Sequence, residues 1–280
     1  MGTKSPRQQR KDQTRIKAAL AALFAVGGAV VVGVLYFQAV EENPSLDPDT
    51  FCRQDGVVTE YWAVLIDTTG TSGQESAFTE AQKISVKGHF EKLTAELPPY
   101  SRLTIHELNT AANSGLEPVK ELCKPPDKPN PLYTAVGPTI ARFEEEFQRP
   151  LSVLLDQIVG ASGAPRSPIM ETIRDMRVRA FPPGRIPERK VLVVISDLME
   201  YTDEINFYDA IPRFVTFQDE YAALSNRLSA DFRDFEFRFW MLRNHDLNRG
   251  REYMDDLAVF WNAYVKDQGA DRVNTTKVDG

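Results

Sequence analysis

The sequence predicts an α/β fold, a mostly parallel central sheet with helices on both faces, preceded by an N-terminal transmembrane helix. Three observations carry this expectation. From residue 57 onward, short continuous apolar runs alternate with stretches of helical period, as in a parallel sheet buried on both sides. Two of those runs, Trp62 to Ile66 and Val191 to Ile195, end on carboxylates, Asp67 directly and Asp197 after Ser196. An uncharged run extends from Ala18 to Val40.

The N-terminal residues set the expected topology. Lys4, Arg7, Arg10, Lys11, Arg15 and Lys17 are opposed only by Asp12 in the segment 1–17. The run 18–40 reads as an uncleaved span, because about 20 apolar residues cross the hydrocarbon layer as a helix. A signal peptide has a shorter apolar core, roughly 7–15 residues, and a small-x-small cleavage site, which Phe37-Gln38-Ala39 does not supply. Basic residues before the span and Glu41 and Glu42 after it predict a cytoplasmic N-terminus. The chain is then expected in the inner membrane, single-pass, with its main domain periplasmic or otherwise extracytoplasmic. Gly27, Gly28 and Gly33 permit close helix packing, so a homo-oligomer through the span is expected as well.

Residues 41–56, with Pro44, Pro48 and Gly56, read as a juxtamembrane linker. The domain proper is expected over 57–268. Tyr61 to Asp67 reads as a buried strand. Glu75 to Leu97 reads as an amphipathic helix with Phe78, Ala81, Ile84, Phe90 and Leu93 on one stripe, stopped by Pro98-Pro99. Arg102 to Leu108 alternates as a second strand. Asn109 to Asn130 is turn-rich. A helical stretch follows from Leu132 to Val159, interrupted near Pro150. Ser167-Pro168 signals a further helix start. Lys190 to Asp197 and Phe235 to Leu242 read as strands, Arg213 to Asp231 and Arg251 to Lys266 as helices, and 269–280 as a disordered tail.

Composition excludes some functions. The formal net charge of −7 argues against general nucleic-acid binding, so no nucleic-acid partner is expected. No G-x-S-x-G elbow and no G-x-x-x-x-G-K-[ST] loop is present, so hydrolase and P-loop readings lack support. His89, His106 and His245 are scattered, none next to an evident nucleophile, and read as structural. The two cysteines, Cys52 and Cys123, fit an oxidising compartment. A bridge between them closes a loop of about 70 residues and contributes roughly 4 kcal/mol; two unpaired thiols are the alternative.

The chemistry lies at the strand ends. Asp67 is followed by hydroxyls in Asp67-Thr68-Thr69-Gly70-Thr71, and the stretch Ile195-Ser196-Asp197 closes a second strand. Hard oxygen ligands of this kind suit Mg²⁺, which takes few protein carboxylates and keeps its waters. These residues resemble the von Willebrand factor A family. The string D-T-T-G-T is similar to its D-x-S-x-S motif, Ser167-Pro168-Ile169 to its Thr before a helix, and Ser196-Asp197 to its Asp after a buried strand.

The resemblance covers about residues 57 to 266 and implies a Rossmann-like fold with a metal-ion-dependent adhesion site. It implies Asp67, Thr69, Thr71, Ser167 and Asp197 as metal-site residues and Mg²⁺ as the ion. An acidic side chain of a protein partner would fill the open coordination position. The chain is then expected to bind rather than catalyse, as a membrane-anchored subunit or receptor of an envelope-associated complex. Two features depart from the family. Thr69 and Thr71 stand where Ser is usual, and Leu198 stands where Gly often follows the Asp.

D-T-T-G-T is also similar to the D-K-T-G-T motif of P-type ATPases and to the haloacid dehalogenase motif. That resemblance implies a membrane-tethered phosphohydrolase with Asp67 as nucleophile. Against it, Thr68 replaces the ATPase Lys and Thr69 the second Asp of the phosphatases.

Overall fold

The computed structural model describes residues 23–24, 26–34, 44–69, 78–108, 117–127, 140–160, 166–181, 189–245, 247, 250 and 252–278. The chain divides into two compact units, Met1–Ser45 and Leu46–Gly280. In the first, residues 23–24 and 26–34 are helical. The expected span and the inner-membrane placement built on it are corrected here. Among the described residues no helix is long and apolar enough to cross a membrane. The expected oligomer contact through that span loses its basis with it.

The second unit is a mixed α/β domain on a six-stranded sheet. Its strands are β1 (Tyr61–Asp67), β2 (Arg102–Leu108), β3 (Lys120–Cys123), β4 (Lys190–Ser196), β5 (Phe235–Leu242) and β6 (Arg272–Val278). They lie in the order β3-β2-β1-β4-β5-β6, all parallel except β3, which runs antiparallel to β2. The chain winds outward from β1 in one direction and from β4 in the other. The neighbouring carboxyl ends of β1 and β4 therefore form the switch point where doubly wound sheets hold ligands.

β1 and β4 are buried along their whole length. Their alternate residues feed two cores. Trp62, Val64, Ile66, Val191, Val193 and Ile195 face α1 (Glu80–Glu96) and α2 (Arg149–Val159). Tyr61, Ala63, Leu65, Leu192 and Val194 share the other core with α3 (Ile169–Arg179), α4 (Phe214–Glu220), α5 (Ala222–Arg227) and α6 (Glu252–Asp267). Phe232, Phe235, Phe237 and Phe239 belong to this second core, and Phe232 meets Phe235 and Phe237 edge to face, as aromatic quadrupoles favour.

Several expectations change in detail. α1 buries Gln82, Val86, Phe90 and Leu93, while Ile84, expected on the apolar stripe, is 74% exposed. The turn-rich segment contains β3. The interruption near Pro150 is a set of wide π-type turns over Phe143–Gln148 running into α2. Proline has no N–H to give the preceding turn, and its ring crowds the carbonyl four residues back. The helix expected over Arg213 to Asp231 breaks at Tyr221 into α4 and α5.

The linker and the tail were misassigned. Residues 46–56 belong to the folded unit. Leu46 bridges Arg53, Phe51 is buried, and Cys123 N–H donates to Thr50 O at 2.7 Å. Cys52 and Cys123 form a disulfide, with Cα atoms 4.7 Å apart, which straps this segment to β3. The expected disordered tail contains β6, paired along β5 from Arg272 to Val278.

Candidate functional site

Asp67 is the last residue of β1, opposite Ser196 at the end of β4, and is 4% exposed. Four donors converge on its carboxylate. Oδ1 accepts from the N–H of Thr69 at 2.9 Å and from the Thr69 hydroxyl. Oδ2 accepts from the Ser167 hydroxyl at 3.0 Å and the Ser196 hydroxyl at 2.6 Å. An ionised carboxylate offers roughly four lone-pair positions. Those of Asp67 are filled.

The placement of Ser167 is local in origin. Its N–H and C=O both pair with Tyr201, fixing the residue just ahead of α3. Pro168 provides no side-chain cap for that helix, so Glu200 takes over the task and accepts from Met170 N–H at 2.9 Å. Ser167 is thereby held between the loop after β4 and the start of α3, with its hydroxyl on Asp67.

Asp197 follows β4 directly. Its Oδ1 accepts from Met199 N–H at 3.0 Å and its Oδ2 from the Asn244 side-chain amide at 2.6 Å; Tyr208 adds a further hydrogen bond. The turn after it requires a left-handed residue, and Leu198 has φ of 59°. This accounts for the Gly usual at that place in the family resembled. Leu198 holds the conformation because its side chain is fully buried. Its N–H donates to Ser196 Oγ at 2.7 Å and its carbonyl accepts from Trp261 Nε1 at 2.9 Å.

Three distant stretches therefore meet at one rim of the sheet. Asp67, Thr69 and Ser167 are joined there by hydrogen bonds, Asp197 follows Ser196 but gives its carboxylate to Met199, Asn244 and Tyr208, and Thr71 lies outside the described residues. Sequence reasoning missed Ser196, Asn244, Tyr208 and Glu200. Ser196 had a signal, a hydroxyl next to an acid at the end of a buried strand. Asn244 had none, since only the pairing of β4 with β5 brings it near Asp197.

The electrostatics are uncompensated. Among the described residues no cationic side chain is paired with Asp67 or Asp197. Burial raises the Asp67 carboxyl against the pull of its four donors. Burial, then the charge of Asp67, pushes Asp197 up to about 7. Burial pushes Glu200 up to about 8.

The donor set fits a hard cation of small carboxylate demand. Among the described residues no group of three or more His, Cys, Asp or Glu gathers into a metal cage. Mg²⁺ needs only one or two carboxylates and otherwise takes neutral oxygens and water. A hydroxyl that donates its hydrogen to Asp67 keeps lone pairs for such an ion. Thr69 and Ser167 are in that state, and Asp197, one residue beyond Ser196, is the second acid at the strand ends. The same saturation leaves Asp67 poorly suited to attack a phosphoryl group, since a nucleophile needs an unengaged lone pair.

No protein-family model matches the chain, and no curated protein matches it. Among solved structures it is similar to an aerotolerance-related membrane protein from Bacteroides fragilis bearing multiple mutations to serines. The identity is 11% over 79% of this chain and 92% of that one, with a TM-score of 0.36. It is also similar to a mutant of the PilB minor pilin from Streptococcus sanguinis, at 11% identity over 84% of this chain and 59% of that one, with a TM-score of 0.39.

Proposed function

We propose that the chain is a von Willebrand A-like protein-binding module whose strand-end cup takes Mg²⁺ and offers it to an acidic side chain of a protein partner. The observation that supports this is the state of the Asp67 carboxylate. Hydroxyls from three separate stretches, at Thr69, Ser167 and Ser196, all donate to it. Their hydrogens point inward, so oxygen lone pairs are left for an ion.

Thr69 and Ser167 would be direct ligands, Asp67 would act through them, and Asp197 would supply the balancing charge. Thr71 completes the proposed set. Such an ion, bound mainly through neutral oxygens, keeps enough positive charge to attract a carboxylate from outside. Binding is the outcome this arrangement favours.

Calorimetry on the full chain tests the proposal. Mg²⁺ and Mn²⁺ are expected to bind the wild type, while Asp197→Asn and Ser167→Ala weaken binding by about tenfold or more, equivalent to about 1.4 kcal/mol. Absence of heat and of thermal stabilisation at millimolar Mg²⁺ would remove the ion from the account.

A further inference from the structure

Beside the cup the chain forms a short three-stranded ladder. Ser167 and Tyr201 exchange both backbone hydrogen bonds, each at 3.0 Å, and Tyr201 is bridged on its other side by Asn206. Residues directly opposite each other in an antiparallel ladder project to the same face, with Cα atoms about 5.5 Å apart where they exchange hydrogen bonds. Tyr201 therefore projects to the same face as Ser167, whose hydroxyl donates to Asp67. The neighbours in sequence, Glu200 and Thr202, alternate to the opposite face and line a separate cavity there.

The Tyr201 ring is braced yet open to solvent. It meets the Tyr208 ring edge to face, with centroids 5.8 Å apart. Tyr208 in turn hydrogen-bonds Asp197 and packs against the second core. Tyr201 remains 38% exposed. A lone exposed tyrosine is ordinary. This one stands at the rim of the cup, on a backbone fixed from both sides, against a ring tied to the second acid. A side chain already held in place loses little freedom on binding, and tyrosines of this kind anchor interfaces.

The position of the ring decides what reaches it. The separation of about 5.5 Å between the Ser167 and Tyr201 backbones spans one to two residues of extended chain at about 3.3 Å each. A partner segment that sets an acid on the ion therefore carries a nearby residue past Tyr201. A basic residue there would compete with the ion for the partner's own acid, and a second acid would meet Asp67 and Asp197. An apolar side chain does neither and removes the ring from water. We propose that Tyr201 receives a large apolar side chain one or two residues from the partner's acid, so that the recognised element is an acid with an apolar neighbour. This rests on the reading of the cup as an ion site for that acid.

The test uses the full chain saturated with Mg²⁺. The probes are acetylated, amidated pentapeptides of glycine with a central aspartate, carrying Phe or Arg at each flanking position in turn. The peptide with glycine at every flank is the reference, and binding is followed by NMR shifts of the backbone amides at 200–208. Phe in at least one position is expected to tighten binding by about fivefold over the reference. Tyr201→Phe, which keeps the ring, is expected to keep that gain. Tyr201→Ala, which keeps the backbone pairing with Ser167, is expected to bring the Phe peptide down to the reference measured in the same variant; a general loss of structure would lower both alike. Binding of the reference with no gain from Phe at any position, a larger gain from Arg, or a gain that survives Tyr201→Ala would overturn the proposal and leave the ion reading standing. No binding of any peptide would overturn both.

Discussion

At the scale of single residues, Leu198 and Glu200 show how the loop after β4 holds itself against local cost. Leu198 occupies a left-handed conformation that costs a β-carbon-bearing residue roughly 1–2 kcal/mol. Full burial of its side chain and the Trp261 hydrogen bond offset that cost. Glu200 is buried to cap α3, and its carboxyl is raised to about 8 from an ordinary value of 4.5. The folded state therefore holds this proton more tightly than the unfolded chain does. Its contribution to stability is present at low pH and is lost as pH rises from about 4.5 through about 8. Urea unfolding of the metal-free chain should show lower stability at pH 8.5 than at pH 5.5, by an amount on the order of a few kcal/mol. Glu200→Gln, which cannot ionise, should reduce that slope, most of all above pH 7, and leave the part that Asp197 contributes. An unchanged slope in the variant would assign the pH dependence elsewhere.

At the scale of elements, the buried strands were legible because nothing in them competes. β1, β4 and β5 are apolar, short and bounded by breakers, and the structure places them close to where the pattern did. β6 was not legible. It is an edge strand with polar residues on much of its surface, and its only sequence signal is a thinly spread set of β-branched residues, Val273, Thr275, Thr276 and Val278. Tertiary pairing with β5 decides it. Ile84 failed for a related reason. Helical period defines a stripe, but the angle at which α1 lies on the sheet selects Val86 and Phe90 and leaves Ile84 outside. At the site, Asp67, Thr69, Ser167 and Asp197 could be read from strand ends and a helix start. Asn244 and Glu200 needed the sheet order and the loop path. The strap at 46–56 was hidden by Pro48 and Gly56, which read as linker, and its stability can be measured. Cys52→Ser with Cys123→Ser opens a loop closed across 71 residues and should lower unfolding free energy by about 2–4 kcal/mol. Stability equal to wild type under non-reducing conditions would show that the bridge does not hold the strap.

At the scale of the whole domain, topology turns local chemistry into a site. The outward winding from β1 and β4 leaves their carboxyl ends side by side, so that Asp67 closes one strand and Asp197 follows the other with no strand between. Neither acid is paired with a cation among the described residues, although the domain uses arginines freely elsewhere. At the opposite end of the sheet, Arg189 and Arg238 stack on Trp62 and pair with Glu60, Glu96 and Glu236. One end of the sheet neutralises its acids with arginines, and the other holds Asp67 and Asp197 with neutral hydrogen-bond donors. The most direct measurement is an anomalous difference map from crystals of the full chain equilibrated with Mn²⁺. A peak is expected within coordination distance of the Thr69 and Ser167 hydroxyls. An ordered, ion-free cup at saturating Mn²⁺, or a peak only at surface carboxylates, would contradict it.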